Sequence, residues 1–358
     1  RDFRLQNLFT NKQKKQIRIF TTPWRQHKRL PGHYIRESHE IANTFAKTIL
    51  ENPKVDLIYG HGLMNMGVIH ARETGSMIPP IITHGHGFEM FQRPATFVES
   101  LKQKMLRVPF RKLIQQSDYV VSLGGKLTQL LQTQLNIPSQ KILETPVAVD
   151  SNWIEAPRRQ FDQEKNKALR RVTYLGRYER RKGVEELATA CRELAPLPFE
   201  LHLIGPIPEH HIAKFPENTF AHGPIYDTSQ LINLLDNTDI LVCPSWSEGM
   251  PTVILEAMAR KTAILATDVG AVSEIVDNCN GWLIPSGSSQ KLKAALSAAT
   301  TTDKQVLRAM QEVSQARVAK RYTWPKIASE MTRQFREISN RAIANPTDSF
   351  KPPKNQLF

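Results

Sequence analysis

Short apolar segments recur along most of the chain and alternate with longer segments of mixed polarity. Apolar runs this short, with polar turns around them, predict strands that are buried on both faces. The segments between them, such as 184–194 and 229–237, repeat apolar residues at helical spacing. Strands that alternate with helices predict parallel sheets covered by helices on both faces, which is the α/β class. The predicted strands are 56–60, 80–83, 119–122 and 141–143 in the first half, and 171–176, 200–205, 219–223, 239–244, 262–267 and 281–285 in the second.

The alternation is interrupted at residues 151–168, a polar and charged stretch that contains Pro157. Such a stretch predicts a linker, so we expect an N-terminal domain at 1–150 and a C-terminal domain at 169–325. Both are predicted to be doubly wound, Rossmann-like domains that face each other across a cleft, with ligands bound at the carboxyl ends of the strands. The tail at 345–358 is polar and contains prolines, which favours disorder.

The composition is that of a globular protein, with 358 residues of which 40% are hydrophobic and 23% charged. The three cysteines, Cys191, Cys243 and Cys279, have neither the number nor the spacing of a disulfide framework or a zinc site. No apolar run reaches the roughly 18 residues that a transmembrane helix needs. We therefore expect a cytoplasmic protein, with peripheral association with the inner face of the cell membrane as an open alternative.

The positive charge is concentrated in the first domain. Of the net charge of +14, residues 1–150 carry +10, from 21 basic and 11 acidic residues. A basic half attracts nucleic acid, an anionic membrane or an anionic substrate, and no recognised nucleic-acid-binding module is present. Segment 101–113 mixes basic and apolar residues, which suits docking on an anionic membrane. A basic helix packed on its own domain is the plainer interpretation, and Pro109 interrupts the pattern and can split the helix. The basic residues are Lys102, Lys104, Arg107, Arg111 and Lys112, and the apolar ones are Leu101, Met105, Leu106, Phe110 and Leu113.

Segment 244–258 places two glutamates on one loop and helix. A buried strand is predicted to end where the segment starts, the loop then presents Glu248 and Gly249, and Pro251 suits a first helical turn. Glu256 follows on the helix and leans back toward the loop, because helical side chains tilt toward the N-terminus. The free N–H groups of a helix end bind phosphate, and carboxylates accept hydrogen bonds from sugar hydroxyls. Taken alone, such glutamates are more often ordinary surface residues.

A second segment, 174–183, forms a basic loop between a strand and a helix. The strand is predicted to end at Gly176, and the loop runs to Lys182 and Gly183. Arg177 can hold a phosphate through two N–H groups, and Lys182 can add a point charge. A departing nucleoside diphosphate needs such neutralisation, whereas a solvated basic loop is the plainer interpretation of this segment alone.

Together the two segments resemble the retaining glycosyltransferases of the GT-B fold, family 4, also called glycosyl transferases group 1. That family shows Gly-Arg, then Lys-Gly, then a glutamate followed by another eight residues later. This order is kept here by Gly176-Arg177, Lys182-Gly183, Glu248 and Glu256. Further matches in the family's order lie at 205–206, 222–225, 244–245, 268–274 and 281–284. The resemblance covers nearly all of residues 171–285.

The resemblance implies where a nucleotide-diphosphate sugar would bind. Two cations would neutralise the diphosphate, and the loop backbone would close over the sugar. The first glutamate would contact the sugar hydroxyls as a catalytic residue, and the second would hold the ribose. The implied donor site comprises Glu248 at the sugar, Glu256 at the ribose, Arg177, Lys182, Gly249 and Met250 at the diphosphate, and Ile225 at the nucleobase.

In the first domain, segment 83–88 resembles the loop in which the family places its active-site histidine. One family spacing favours His84, whereas another, which includes Glu89, favours His86, so both are candidates for this catalytic position. The histidine would orient the donor sugar, and no carboxylate nucleophile is predicted in this domain. Either histidine can instead serve only to brace a glycine-rich turn.

The chain departs from the family at three points. Family members begin with a strand and a glycine-rich loop, which are not found before Asp2, so a missing first strand is expected. Ala148 and Ala271 replace glycines of the family pattern, and both changes are expected to be tolerated. A C-terminal helix at 326–344 is expected to cross back onto the first domain, as in that fold.

The expected reaction moves a sugar from a nucleotide-diphosphate sugar to a hydroxyl of a glycan or lipid-linked acceptor, with retention of configuration, in surface polysaccharide or glycolipid synthesis. Its catalysis would be electrostatic, so neither a metal nor a cofactor is expected, and nucleic acid is not an expected partner. Two rival functions are a sugar-nucleotide epimerase of related fold, which needs no acceptor, and a basic nucleic-acid-binding or scaffold protein.

Overall fold

The computed structural model of the protein describes residues 10–22, 32–52, 54–156 and 169–344. The predicted tail at 345–358, the start of the chain, where a missing first strand is expected, and the larger part of the predicted linker lie outside these residues. The described part of the linker includes one helical turn, Asn152–Glu155, which buries Trp153.

The first sheet contains four parallel strands, β1 to β4, which lie side by side in chain order. They are β1 Ile58–His61, β2 Ile81–His84, β3 Tyr119–Ser122 and β4 Ile142–Glu144. All four confirm the strands predicted in this half, because each overlaps its apolar run. Ile81 and Ile82 of β2 are fully buried, which explains why this run is apolar on both faces.

The second sheet contains six parallel strands, and these confirm the strands predicted in the second half. They are β5 Arg170–Leu175, β6 Phe199–Ile204, β7 Thr219–Gly223, β8 Ile240–Cys243, β9 Ala263–Thr267 and β10 Gly281–Ile284. Their spatial order is β7-β6-β5-β8-β9-β10. The chain therefore runs from β5 to one edge and returns to pair β8 with β5. This doubly wound order leaves a crevice at the carboxyl ends of β5 and β8, where sheets of this kind bind ligands.

Helices connect the strands and cover both sheets. Those before the gap at 157–168 are α1 Asn11–Lys14, α2 His33–Leu50, α3 Met66–Glu73, α4 Phe97–Gln116, α5 Lys126–Thr133 and α6 Asn152–Glu155. Those after it are α7 Val184–Glu193, α8 Glu209–Ile212, α9 Thr228–Asp236, α10 Thr252–Ala259, α11 Ser289–Thr301, α12 Lys304–Arg321 and α13 Trp324–Ala344. Helices α7 and α9 confirm two predicted helices. Among the helices of the described ranges, none is long and apolar enough to cross a bilayer.

Helix α4 is not split at Pro109. The proline lies inside a continuous helix, although a proline in a helix interior costs about 3 kcal/mol. The Thr96 side chain caps the N-terminus of α4, and its C-terminal half buries Phe110, Leu113 and Ile114. This packing against the first domain outweighs the cost of the proline.

The last helix, α13, returns to the first sheet. Ile338 of this helix is buried against Ile82 and Val121 of the sheet. Just before the helix begins, Thr323 pairs with Val149 in a parallel bridge. The two domains are therefore connected by packing at the end of the chain as well as by the segment between the sheets.

Candidate active site

The loops that follow β5 and β8 meet in the crevice between these strands. Gly183, at the start of α7, has a φ of +72°, and a Cβ atom built on it would lie 1.9 Å from the carbonyl oxygen of Pro244. No side chain fits there, so the glycine lets the two loops pack backbone to backbone. This close approach brings Lys182 to the loop that carries Glu248.

Glu248 is the buried charge of this site, with only 5% of its surface exposed. One of its carboxylate oxygens accepts hydrogen bonds from Nζ of Lys182 at 2.6 Å and from the hydroxyl of Ser245 at 2.7 Å. The other oxygen lies 3.7 Å from Nη1 of Arg181. A buried carboxylate is costly unless it is paired, so these three groups offset the burial of Glu248.

The two cations predicted to bind the diphosphate have different environments. The Lys182 side chain is 20% exposed and bonds to Glu248, whereas the Arg177 side chain is 68% exposed and pairs with Glu179 at 3.0 Å. Lys182 therefore supports the local structure of the site as well as its charge, and Arg177 lies at the surface of the same loop.

Three histidines form the first-domain wall of the cleft. His61 and His84 end neighbouring strands and are register partners, and His86 follows two residues later with a φ of +55°. The ring centroids of His84 and His86 are 4.4 Å apart, and Nδ1 of His61 lies 3.1 Å from Nε2 of His86. Burial and the neighbouring histidines lower the pKa of His84 to about 3, and the same causes lower the pKa of His61. The ring of His84 is therefore neutral at pH 7.

Tyr59 fixes the ring of one histidine candidate. Its hydroxyl lies 2.8 Å from Nδ1 of His84, and burial raises the pKa of the Tyr59 phenol to about 12. The other candidate, His86, is exposed and contacts His61. The structure thus places both candidates in the cleft, one held by a tyrosine and the other by a histidine.

A cavity of about 470 Å³ lies between the histidines and the second domain. His84 and His86 line one side of it, and Lys182, Glu248 and Gly249 line the other. Met250 also lines the cavity and is 5% exposed. Six of the nine residues predicted to form the site are therefore brought to one cavity from distant parts of the sequence.

A second cavity, of about 460 Å³, adjoins the first, because His86 and Glu89 line both. It extends to α4 through Lys102 and Leu106, and to the second domain through Arg181. Glu89, which is part of the motif spacing that favours His86, is thus a carboxylate on the first-domain side of the cleft. Glu89 follows a tight turn, so the predicted strands did not indicate where its side chain would lie.

Gly249 and Gly87 face each other across the cleft. A Cβ atom built on Gly87 would lie 2.9 Å from the amide nitrogen of Gly249. The side-chain amide of Gln92 donates to the carbonyl oxygens of Gly87 and Glu248, the latter at 2.6 Å, and accepts from the Glu248 amide. Gln92 therefore holds the glutamate loop from the first domain, a role that no motif in the sequence indicated.

Glu256 lies on α10 and is not part of the cavity lining. Burial raises the pKa of its carboxyl to about 7, and within the ranges described here the carboxyl has no hydrogen bond or ion pair to compensate. A carboxyl that is desolvated without a partner is costly to keep ionised, and such groups concentrate at binding and catalytic sites.

Ile225 lies two residues beyond β7, the edge strand of the second sheet. It is half-buried, and its neighbour Tyr226 is 81% exposed. Ile225 lies at the same end of the sheet as the crevice, but β6 separates its strand from β5. Together with Arg177 and Glu256, it is one of the predicted site residues that do not line the cleft cavity.

The comparison with known families identifies the second domain. Residues 170–301 match the family model described as glycosyl transferases group 1. The curated relatives include the putative teichuronic acid biosynthesis glycosyltransferase TuaC of Bacillus subtilis, 26% identical over 283 residues, which are 75% of this chain and 68% of TuaC. The matched residues span most of the second domain, including the loops after β5 and β8.

Solved structures extend the similarity to both domains. Sucrose-phosphate synthase from Thermosynechococcus elongatus superposes with a TM-score of 0.69 at 18% identity, covering 86% of this chain and 79% of its own. HepE from Anabaena, in complex with UDP, superposes with a TM-score of 0.64 at 18% identity, covering 83% and 82%. The fold is GT-B. This confirms the predicted fold class, two Rossmann-like domains that face each other across a cleft.

The comparisons together support a GT-B glycosyltransferase of group 1. The family model covers the loops that carry Lys182 and Glu248, so the motif resemblance and the model match rest on the same domain. The histidines belong to the first domain of the GT-B fold, which the family model does not cover.

Proposed function

We propose that the protein is a retaining, family 4 glycosyltransferase that moves a sugar from a nucleotide-diphosphate sugar to a hydroxyl acceptor. The observation that carries this proposal is the pair formed by Lys182 and the buried Glu248 at the crevice of the second sheet, opposite the histidines. A cation, a carboxylate and imidazole rings around one cavity match the three parts of such a donor: the diphosphate, the sugar hydroxyls and the reacting carbon.

Donor binding would rearrange the ion pair. A diphosphate competes for the ammonium group of Lys182, because phosphate oxygens form strong charge-assisted hydrogen bonds. Glu248 is then free to accept a hydrogen bond from a sugar hydroxyl while Ser245 keeps its carboxylate in place. Arg177, on the surface of the same loop, adds charge as the loop closes over the diphosphate.

The transfer itself would be driven by charge stabilisation. The bond between the anomeric carbon and the diphosphate oxygen breaks, and the acceptor oxygen forms a bond on the same face of the sugar. Negative charge develops on the departing diphosphate, where Lys182 and Arg177 stabilise it. The proton of the acceptor hydroxyl passes to that diphosphate, and His84 and His86 hold the sugar in position.

The acceptor would lie in the second cavity, which shares His86 and Glu89 with the donor cavity. HepE was solved with UDP and TuaC is named for teichuronic acid biosynthesis, so a UDP-sugar and a surface polysaccharide or its lipid-linked precursor are the first substrates to test.

A thermal-shift and calorimetry screen against UDP-, GDP- and ADP-sugars tests the proposal. We expect one base class to raise the melting temperature of the wild-type protein and to bind more weakly to Glu248→Gln. A protein that binds none of them at millimolar concentration would not be this transferase. Incubation with donor alone separates the epimerase alternative, since an isomerised donor sugar without acceptor would favour the epimerase.

Full transferase activity is expected in the presence of EDTA. Lys182 and Arg177 supply cationic charge at the diphosphate, and the metal-ligand cluster found among the described residues consists of histidines, whereas Mg²⁺ prefers oxygen ligands. Initial rates with and without EDTA should agree. Loss of activity that added Mg²⁺ or Mn²⁺ restores would show a metal-dependent transfer.

Helix α4 also presents a surface suited to an anionic membrane. Phe97, Leu101, Met105 and Val108 recur at intervals of three or four residues, which places them on one helix face, and they are 86%, 57%, 43% and 75% exposed. Leu106, Phe110 and Leu113, which were also expected to face the membrane, do not belong to this surface. They pack inward against the first domain, because the inner face of α4 covers the core.

The basic residues of α4 also form two groups, those without a partner and those that bond to the first domain. Lys102 and Lys104 are exposed, and neither forms an ion pair within the described residues. Arg107 and Arg111 donate to backbone carbonyls at 2.8 and 3.2 Å, and Lys112 pairs with a glutamate at 3.0 Å. We propose that the apolar row and the two unpaired lysines bind an anionic bilayer, beside the cavity assigned to the acceptor.

Liposome co-sedimentation is expected to show binding to anionic vesicles and little binding to neutral ones. Replacing Lys102 and Lys104 with Gln should weaken binding by about tenfold or more, since each basic residue contributes about 1 kcal/mol at such a surface. Leu101→Ser with Val108→Ser should weaken it further. The control Val306→Ser removes an apolar residue that is 49% exposed on α12 and should leave binding unchanged. Equal binding to both vesicle types, or insensitivity to the α4 changes, would contradict this docking surface.

A further inference from the structure

The three histidines of the cleft form a cluster with the composition of a metal site. His61 and His84 end adjacent parallel strands in register, so their side chains project from neighbouring positions on the sheet. His86 turns back through its positive φ, and its ring stacks on that of His84. One ring nitrogen from each residue lies within 4.8 Å of the other two.

The hydrogen bonding of His84 leaves a nitrogen unused. Its Nδ1 is 2.8 Å from the Tyr59 hydroxyl, whereas its Nε2 is buried and has no partner. Buried polar atoms are rarely left unsatisfied. When Nδ1–H donates to the phenol oxygen, the lone pair of Nε2 is available, and a ligand histidine is commonly held in this way through its second nitrogen.

We propose that His61, His84 and His86 bind one divalent transition-metal ion of the zinc class. Imidazole nitrogens suit Zn²⁺, Cu²⁺ and Ni²⁺, whereas Mg²⁺ and Ca²⁺ prefer oxygen. Zinc binds histidine nitrogens at about 2.0–2.1 Å, so the three nitrogens must move closer together. His61 and His86 are exposed and can make this adjustment by changing side-chain rotamers. Solvent reaches the fourth coordination position from the cavity.

The bound ion would inhibit transfer. His84 and His86 line the cavity assigned to the donor sugar, and a metal ion there withdraws both rings from the sugar. Inhibition rests on the proposed function, whereas metal binding does not. We therefore expect full transferase activity in EDTA and lower activity in the presence of micromolar Zn²⁺.

Calorimetric titration of the tag-free full chain with Zn²⁺, in the absence of any donor, tests the site directly. We expect one ion per chain, and a tetrahedral absorption spectrum when Co²⁺ replaces Zn²⁺. His61→Ala and His86→Ala should each weaken binding by at least about tenfold. These variants change exposed residues, so folding is retained and can be checked by melting temperature.

His222→Ala is the matched control. His222 is exposed and contacts His202 at 2.8 Å in the second domain, so it offers a histidine pair outside the cleft. We expect Zn²⁺ affinity to be unchanged in this variant. Unchanged affinity in the His61→Ala/His86→Ala double variant, loss of binding in His222→Ala, or no binding to the wild type would each overturn the proposal. Each result is independent of whether the protein transfers a sugar.

Discussion

Replacing Lys182 with methionine is expected to lower turnover by about 10²–10³-fold, the usual cost of removing one group that stabilises transition-state charge. Methionine keeps much of the length of the lysine side chain but cannot offer positive charge to a departing diphosphate. The expected loss is in kcat, because the charge it neutralises grows in the transition state. Steady-state kinetics with saturating donor measures it.

Lys182→Met should also lower the free energy of unfolding, an effect that is not expected for a lysine in a solvated loop. Lys182 bonds to Glu248, which is 5% exposed, and removing one partner of a buried pair leaves a charge without compensation. Ser245 and Arg181 remain near the carboxylate, so the protein is expected to stay folded with a lower melting temperature. Kinetics must therefore be measured well below that temperature.

Lys261→Met provides a matched control for this loss. Lys261 also forms an ion pair and is 26% exposed, but its partner Glu312 is 64% exposed and lies on α12. Exposed pairs contribute little to stability, so Lys261→Met should keep wild-type kinetics. Turnover of folded Lys182→Met within about threefold of the wild type would remove Lys182 from the diphosphate site.

Glu256→Gln is expected to weaken donor binding by about 10- to 150-fold at pH 8, the effect of losing roughly 1.5–3 kcal/mol of hydrogen bonding to a charged group. In the proposed site the ionised carboxylate would accept hydrogen bonds from both ribose hydroxyls, whereas a glutamine would accept through one oxygen. Calorimetry with the donor found in the screen measures the difference.

The elevated pKa of Glu256 predicts the direction of the pH dependence. Because burial raises this pKa to about 7, the wild-type carboxyl becomes protonated as the pH falls through 7, and its donor affinity should fall with it. Glu256→Gln has no such transition, so the difference in affinity between the two proteins should shrink by about five- to tenfold between pH 8 and pH 6. A difference in affinity that stays constant from pH 8 to pH 6 would contradict the ribose assignment.

The stability of the wild-type protein should change with pH in the direction opposite to its donor affinity. A carboxyl whose pKa is about 7 in the folded protein, above the ordinary glutamate value of 4.5, binds more protons in the folded than in the unfolded protein between these values. Stability therefore falls as the pH rises through this window. Glu256→Gln removes this penalty and should melt at a higher temperature than the wild type at pH 8. Weaker donor binding in a more stable protein is the behaviour expected of a binding residue.

The strands and the main loops of the second domain could be predicted because their signals are local. Continuous apolar runs mark strands buried on both faces, and the glycine beside Lys182 marks a backbone position with no room for a side chain. Gly183 shows this directly, since its missing Cβ is what allows the loop to approach Pro244.

The contacts inside the site could not be predicted in the same way. Lys182 and Glu248 are distant in sequence, and their ion pair depends on how two loops face each other in three dimensions. His61 joins the other histidines only through the register of two strands, and Gln92 reaches Glu248 only across the domain interface. Pro109 shows a related limit. Its tendency to break a helix is local, whereas the tertiary packing that keeps α4 continuous is not.

The most direct test of the central claim is to follow the full reaction by NMR. The protein is mixed with its nucleotide-sugar donor and a lipid-linked glycan acceptor in anionic vesicles, and the anomeric signal of the product is recorded. We expect one new glycosidic linkage with the anomeric configuration of the donor, release of nucleoside diphosphate in equal amount, and almost no product with Lys182→Met. An inverted linkage, or donor consumed without any glycosylated acceptor, would contradict it.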